Sequence, residues 1–312
     1  MTEHLPNWKI IRTSPETQGF SSWEPPSGTL GELTRTALVR ATDLASRAAG
    51  LERAAMGRRP APSLEAALQR DFVAIIAEVK RSSPSRGRIN AALRAGPQAR
   101  AYEAGGAAAI SVLTEPHRFS GHESDLVEVV ASSGLPVLKK DFHVAEIQLV
   151  EAKALGASAA LLIVRALSPR RLSDMARTAR DIGLEILFEV RDEAELERAL
   201  DAGATMIGVN NRNLETLEVD ASTVPRMVPL VPRHVIAVAE SGYATPDNVQ
   251  TAATAGADAV LVGSALSSSA DPGEAVRGLR AIPRAGGRRP VGERTGAIPS
   301  RPPPGLAGPD NR

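Results

Sequence analysis

Eight short apolar runs, each followed by a helix-like stretch, constrain this chain more than any other feature. They lie at Val73–Val79, Ala108–Leu113, Pro136–Lys140, Ala159–Val164, Glu185–Val190, Met206–Asn210, Val235–Ala239 and Ala259–Val262, roughly 20 to 35 residues apart. Apolar runs without polar alternation are expected of strands buried on both faces. Apolar residues at helical spacing predict helices between them, at Gln98–Ala104, Val144–Leu155, Pro169–Ile182, Glu193–Ala202, Asp247–Ala255 and Pro272–Leu279. Four of the connections carry a Gly-Ala step before the next strand: Gly106-Ala107, Gly156-Ala157, Gly203-Ala204 and Gly256-Ala257. Glycine past a helix end supplies the left-handed cap, and a small alanine lets the chain enter the sheet closely. Eight strand–helix units predict an α/β fold of the (β/α)8 barrel type. The rival, a doubly wound open sheet, would carry a glycine-rich dinucleotide loop after its first strand. Ser82-Ser83-Pro84-Ser85 stands there instead.

The ends of the chain read differently. Residues 1–31 are polar and include Pro6, Pro15, Pro25 and Pro26, so little structure is expected. From Glu32 to Met56, Leu33, Ala37, Leu38, Ala41, Leu44 and Ala48 fall at helical spacing and predict an amphipathic helix. Gly57 and Pro60 stop it, and Ser63 introduces a short helix at Leu64–Gln69. The expected division is a poorly ordered extension (1–31), a barrel with leading helices (32–283) and a Pro/Gly/Arg-rich tail (284–312). That tail holds six Arg against Glu293 and Asp310, a net of +4; the whole chain is +1, so the remainder carries −3. Such a segment cannot bury enough apolar surface to order itself, so a cut after Pro283 is expected to change neither stability nor rate. Contact of the basic tail with RNA or a partner is the weaker reading.

Composition removes some chemistries. There is no Cys, which excludes disulfides, thiolate metal sites and thiol nucleophiles and fits a reducing, cytoplasmic setting. A net charge of +1 calls for neither nucleic acid nor an anionic membrane. Neither a signal peptide nor a run of membrane-spanning length is apparent. His117, His122 and His143 do not follow metal-ligand spacing, so no metal is assigned.

In a barrel of this type the chemistry sits at the C-terminal ends of the strands. Those positions hold Glu78 and Lys80; Thr114 and Glu115; Lys139, Lys140, Asp141 and Phe142; Arg165; Glu189; Asn210, Asn211 and Arg212; Glu240, Ser241 and Gly242; and Gly263 and Ser264. Glu78 and Lys80 are two apart and share a strand face. Any one such pair is as well explained by an ion pair that finishes a strand. Seven polar strand ends around one mouth favour a site. Gly242 and Gly263-Ser264 follow the seventh and eighth strands, where barrels often hold a phosphate on backbone amides. Lys80 and Lys140 are expected to share a cavity, where mutual repulsion and burial would depress a lysine toward a general acid active near neutral pH. Glu189 is placed to accept a proton, and Asn210 and Arg212 to bind a hydroxyl and an anion. Phe142 is either core packing or a platform for an aromatic ring.

With these residues laid out, the chain resembles the indole-3-glycerol phosphate synthase family of tryptophan biosynthesis. The matching segments are IIAEVKRSSPSRG (75–87), AISVLTEPHRFSG (109–121), LPVLKKDF (135–142), EAKALGASAALLIV (151–164), ILFEVRDEAEL (186–196), IGVNNRNLETLEVD (207–220), VAESGY (238–243) and VLVGSAL (260–266). Together they cover about residues 72–282, and their order is far more specific than any one of them. The resemblance implies a TIM barrel and the conversion of 1-(2-carboxyphenylamino)-1-deoxyribulose 5-phosphate to indole-3-glycerol phosphate, carbon dioxide and water. It implies neither cofactor nor metal. The expected partners are the sugar-phosphate substrate and other tryptophan-pathway enzymes. By the same resemblance Lys140 is the acid that protonates the ketone oxygen. Lys80 engages the substrate anions and assists proton transfer, and Glu189 transfers a proton during dehydration. Glu78, Asn210 and Glu240 form the polar lining. Phe142 is an aromatic wall, Arg212 helps hold the substrate, and Ser83, Ser241, Gly242, Gly263 and Ser264 belong to the binding loops. The chain departs from the family pattern in its Ala- and Arg-rich lead-in helix and in His122, where Ser is common. A phosphoribosyl isomerase on the same barrel is the enzymatic rival, and a non-catalytic phosphate-binding barrel the other.

Overall fold

The computed structural model describes residues 24–85 and 87–284. The expectations for residues 1–23 and 285–312 lie outside this range. Eight parallel strands form a closed barrel: β1 (Ala74–Val79), β2 (Ala109–Leu113), β3 (Val137–Lys140), β4 (Ala159–Ile163), β5 (Glu185–Val190), β6 (Met206–Asn210), β7 (Ile236–Glu240) and β8 (Ala259–Val262). Each pairs with the next in sequence, and β8 closes on β1 with Ala74 beside Ala259. Every expected strand is present, with boundaries within one residue. The reason is visible in their burial: apart from Glu185 and Lys140, which are partly buried, these strand residues are buried. A strand covered on both faces has no room for polar alternation.

Helices surround the barrel: α4 (Ala95–Gly105), α5 (Pro116–Phe119), α6 (Glu123–Ser132), α7 (Glu146–Leu155), α8 (Pro169–Ile182), α9 (Glu193–Asp201), α10 (Thr223–Met227), α11 (Pro246–Ala255), α12 (Ser264–Ser267) and α13 (Pro272–Leu279). The four glycines of the Gly-Ala steps have φ of 91°, 97°, 85° and 97°, the left-handed geometry that ends a helix without a Cβ penalty. Helices α5, α6, α10 and α12 were not singled out by periodicity; three of them have only four or five residues, too few to show a period.

Three helices precede the barrel: α1 (Gly28–Ala45), α2 (Ala48–Met56) and α3 (Leu64–Leu68). The expected single helix over Glu32–Met56 is therefore two, broken at Ser46-Arg47, and it starts earlier, at Gly28. The apolar stripe explains the early start, because Leu30 is as buried as Leu33 and Ala37. A small separate core, with Ala41, Leu44 and Ala55 against Ile147, Val150 and Ala154, docks α1 and α2 on α7. Helix α3 is capped by Glu185, the first residue of β5, which accepts from Ser63 Oγ and the amides of Leu64 and Glu65. No helix among the described residues is long and apolar enough to cross a membrane.

The start of the tail corrects one expectation. Arg284 is docked: its guanidinium pairs with the buried Asp258 and donates to the Arg70 carbonyl at 3.0 Å. Asp258 also accepts from the Ala237 amide at 2.7 Å, so it joins the entry of β8 to β7. A composition argument applied to residues 284–312 together could not see that the first of them neutralises a buried carboxylate. We expect a chain ending after Pro283 to lose about 3 kcal/mol, the low end for removing one partner of a buried ion pair. At about 2–4 °C per kcal/mol for a chain of this size, that is a drop in Tm of about 10 °C. Thermal melts of the full chain and of chains ending after Arg284 and after Pro283 test this; coincident curves would show that the pair adds nothing.

Candidate active site

The parallel register brings distant residues onto one face at the C-terminal mouth of the barrel. Leu113 lies beside Lys140, Ile163 beside Glu189, Glu189 beside Gly208, Asn210 beside Glu240 and Glu240 beside Leu261. Partners in a parallel ladder point to the same side. The result is a cavity of about 350 Å³. It is lined by Glu78, Lys80, Ser83, Lys140, Phe142, Asn210, Arg212, Glu240, Ser241, Gly242, Gly263 and Ser264. These are twelve of the thirteen positions that the family resemblance assigns to the site. The thirteenth, Glu189, contacts Lys140 and lines an adjoining cavity of about 110 Å³ that shares Asn210 and Arg212 with the first.

A chain of polar contacts runs across the mouth. Lys140 Nζ lies 3.1 Å from Glu189 and 3.3 Å from Glu240. Asn210 donates to the other Glu189 oxygen at 2.9 Å, and Asn210 Oδ1 accepts from the Arg212 amide at 2.9 Å. Lys80 Nζ bonds Glu78 at 3.0 Å. The backbone beneath that pair is braced from behind: Ser267 Oγ donates to the Glu78 carbonyl at 2.8 Å and Tyr102 Oη at 3.0 Å.

Three carboxylates therefore face two ammonium groups, and this inverts the expected lysine tuning. Burial alone would lower Lys140, but the charges of Glu189, Glu240 and Glu78 outweigh it and hold the ammonium firmly protonated. Repulsion from Lys80 is not the dominant force. Glu240 shifts in the same direction. Burial is the main cause; the Lys140 ammonium pulls the other way, Glu189 adds repulsion, and the carboxyl is pushed up to about 8. Glu240 Oε1 is buried with no hydrogen-bond partner and lies over Gly208, where an added Cβ would come within 2.1 Å of it. Glycine in the middle of β6 is what lets that carboxyl fit.

Several strand-end residues serve the framework instead of the cavity. Glu115 caps α5 by accepting from the amides of His117, Arg118 and Phe119. Lys139 points away from the mouth and pairs with Glu151 at 2.6 Å. Asn211 ties the Ser241 carbonyl to the Val224 amide. Thr114 bonds Asp141 at 2.6 Å. Conversely, the apolar walls went unnoticed in the sequence: Leu33, Leu113, Phe119, Leu161, Ile163 and Leu261. Phe119 lies 6.3 Å from Phe142, ring centre to ring centre, and tilted. In a chain with five Phe, a second one six residues past a strand end was the available signal. The opposite wall is main chain: Ser241 and Gly242 both have positive φ, and Gly263 and Ser264 open α12, whose first amides lack intrahelical partners. Among the described residues no group of three or more His, Asp or Glu side chains is placed to hold a metal ion.

Comparison with known proteins agrees with this geometry. The fold is shared with 3-hexulose-6-phosphate synthase from Salmonella typhimurium (TM-score 0.52, 15% identity, covering 66% of this chain and 96% of that one). It is also shared with thiamine phosphate pyrophosphorylase from Pyrococcus furiosus (TM-score 0.50, 18% identity, covering 68% and 95%). In sequence the chain is 52% identical over 247 residues to indole-3-glycerol phosphate synthase 1 of Streptomyces coelicolor, spanning 77% of this chain and 91% of that protein. It is 51% identical to indole-3-glycerol phosphate synthase of Streptomyces griseus, spanning 69% and 80%. The enzyme of that name from Mycolicibacterium gilvum is 49% identical, spanning 71% and 82%. The sequence model for indole-3-glycerol phosphate synthase matches residues 33–279, from α1 to the end of α13. This chain, with its charged mouth and apolar walls, belongs to the indole-3-glycerol phosphate synthase family.

Proposed function

We propose that this cavity converts 1-(2-carboxyphenylamino)-1-deoxyribulose 5-phosphate into indole-3-glycerol phosphate, carbon dioxide and water. The observation that carries the reading is Lys140, held as an ammonium between Glu189 and Glu240 on an otherwise largely apolar wall. In the first step the ring carbon that bears the carboxylate attacks the ketone, and the electron pair moves to the ketone oxygen. That oxygen becomes strongly basic as the bond forms, so an ammonium of raised pKa is still a competent donor. Lys140 gives it the proton. Carbon dioxide then leaves, its bonding pair restoring the aromatic ring. In the last step Glu189 takes a proton from the carbon next to nitrogen while the hydroxyl departs as water with a proton from a lysine. Lys80 balances the departing carboxylate beforehand, and Glu78 orients Lys80. Phe119 and Phe142 form the side on which the aromatic ring packs. The loops at Ser241-Gly242 and Gly263-Ser264, with Ser83, take the phosphate. Asn210 and Arg212 hold the remaining hydroxyl and anionic groups.

Turnover of the carboxyphenylamino sugar phosphate, followed by indole fluorescence, tests the reading directly. Lys140→Ala should lower kcat by at least about 1,000-fold, within the span of general-acid effects, while circular dichroism and binding of inorganic phosphate stay unchanged. Full activity in a folded Lys140→Ala protein would remove this residue from the mechanism.

Glu240 adds a pH signature. Its folded pKa of about 8 exceeds the ordinary value of 4.5, so the folded protein keeps a proton that the unfolded chain releases. Stability from this group is fully present below about pH 4.5 and is lost as pH rises through about 8. For an anionic substrate kcat/KM should fall about tenfold per pH unit above that point, because ionisation adds a negative charge to the site. Glu240→Gln should flatten both slopes; an unchanged decline would assign it to another group. Gly208→Ala should push the same carboxyl off Lys140, cutting kcat by about tenfold or more with little change in Tm. Wild-type turnover in that variant would show that the contact is dispensable.

A further inference from the structure

Asp141 follows Lys140 at the end of β3, and its carboxylate is buried. It accepts four hydrogen bonds. Two come from the Arg40 guanidinium of α1, at 3.0 and 2.7 Å. One comes from Thr114 Oγ1 at 2.6 Å and one from the Phe142 amide at 2.7 Å. Thr114 also donates its own amide to the Lys140 carbonyl at 3.1 Å. The backbone of residues 140–142, which presents Lys140 and Phe142 to the cavity, is thus pinned on both sides through one carboxylate.

The fork that neutralises this carboxylate comes from outside the barrel. Arg40 lies on α1, and the same helix sends Thr29 and Leu33 into the cavity wall. A planar guanidinium bound at both nitrogens fixes distance and orientation together, which a single ammonium does not. Burial alone would raise Asp141, but Arg40 and Lys139 hold it well below the usual carboxylate range, so it stays charged. Removing the guanidinium would leave that charge to the Thr114 hydroxyl and the Phe142 amide.

We propose that Arg40 and Asp141 are positioning residues for the acid: they transmit the seating of α1 to the placement of Lys140. Neither touches the reacting atoms. The proposal rests on the reading of Lys140 as the proton donor. A misplacement of about 1 Å at a catalytic group can cost about 100-fold in rate, which sets the size of the effect.

The test compares Arg40→Met, Arg40→Lys and Arg40→Ala with the wild type, using the same turnover assay and thermal melts. Arg40→Met should lower kcat by about 100-fold with KM within about threefold, because the cavity walls persist. Arg40→Lys should recover part of the loss. Added guanidinium ion, at millimolar level, should restore kcat in Arg40→Ala. As a control, Arg284→Met removes another guanidinium–carboxylate pair, with Asp258 at the entry of β8, the end of the barrel opposite the mouth. It should lower Tm and leave kcat at the wild-type value. If Arg40→Met does not fold, Thr114→Val decides: loss of one bond to Asp141 should cost about tenfold in kcat. Wild-type kcat in folded Arg40→Met, or a kcat loss that neither lysine nor guanidinium repairs, overturns the proposal. An inactive wild type would instead overturn the assigned reaction, so the two failures are distinguishable.

Discussion

The mouth of this barrel is governed by buried charge: two ammonium groups meet three buried carboxyls, with the Arg212 guanidinium on the same wall. Charges are costly to bury, and they persist here because each finds an opposite within about 3 Å. Burial, with repulsion from Glu189 and Glu78 added, keeps a proton on Glu240. Everything around the mouth respects that arrangement. Gly208 leaves room for the Glu240 carboxyl, and Gly263 leaves room for Glu78, whose Oε1 would lie 2.2 Å from an added Cβ. Tyr102 and Ser267 hold the backbone that carries Glu78. The site is thus built to receive an anionic substrate while staying close to neutral itself.

Much of this was legible in the sequence, and for a physical reason. Strands covered on both faces leave an unbroken apolar run, so a polar residue at the end of such a run stands out. Glu78, Lys80, Lys140, Glu189, Asn210 and Glu240 are all of that kind. What the sequence hid were relations set by tertiary contact. Thr114, Glu115 and Lys139 occupy strand ends as conspicuously as Lys140, yet their partners are amides, Asp141 and Glu151. The direction of the Lys140 shift depended on counting carboxylates from three other strands, a sum that no local window contains. Arg284 was concealed by its neighbours: a residue inside a Pro/Gly/Arg-rich stretch takes its meaning from Asp258, not from the stretch. Phe119 and the wall leucines were hidden because apolar residues near a strand end look like core.

The lead-in helix shows how an appendage becomes part of a site. Periodicity gave α1 a buried stripe without saying what the stripe faces. In the structure its first turns complete the cavity wall through Thr29 and Leu33, while Leu44 packs on α7. Glu32 meets Arg118 beyond β2, and Glu215 accepts from Ser27 while pairing with Arg165. These links join the segment before β1 to loops that follow three different strands.

The closure of β8 on β1 carries a consequence for how the molecule is made. The Phe72 and Pro283 backbones bridge, the Val73 amide bonds the Ile282 carbonyl, and Arg284 completes the Asp258 environment. The two flanks of the barrel are thus zipped together by the residues just before β1 and those after the last helix. Until β8 pairs with it, the edge of β1 that Ala74 shares with Ala259 has no partner, and unpaired strand edges are aggregation-prone. Sealing it requires the last strand of the barrel, so ring closure joins segments about 185 residues apart in the chain.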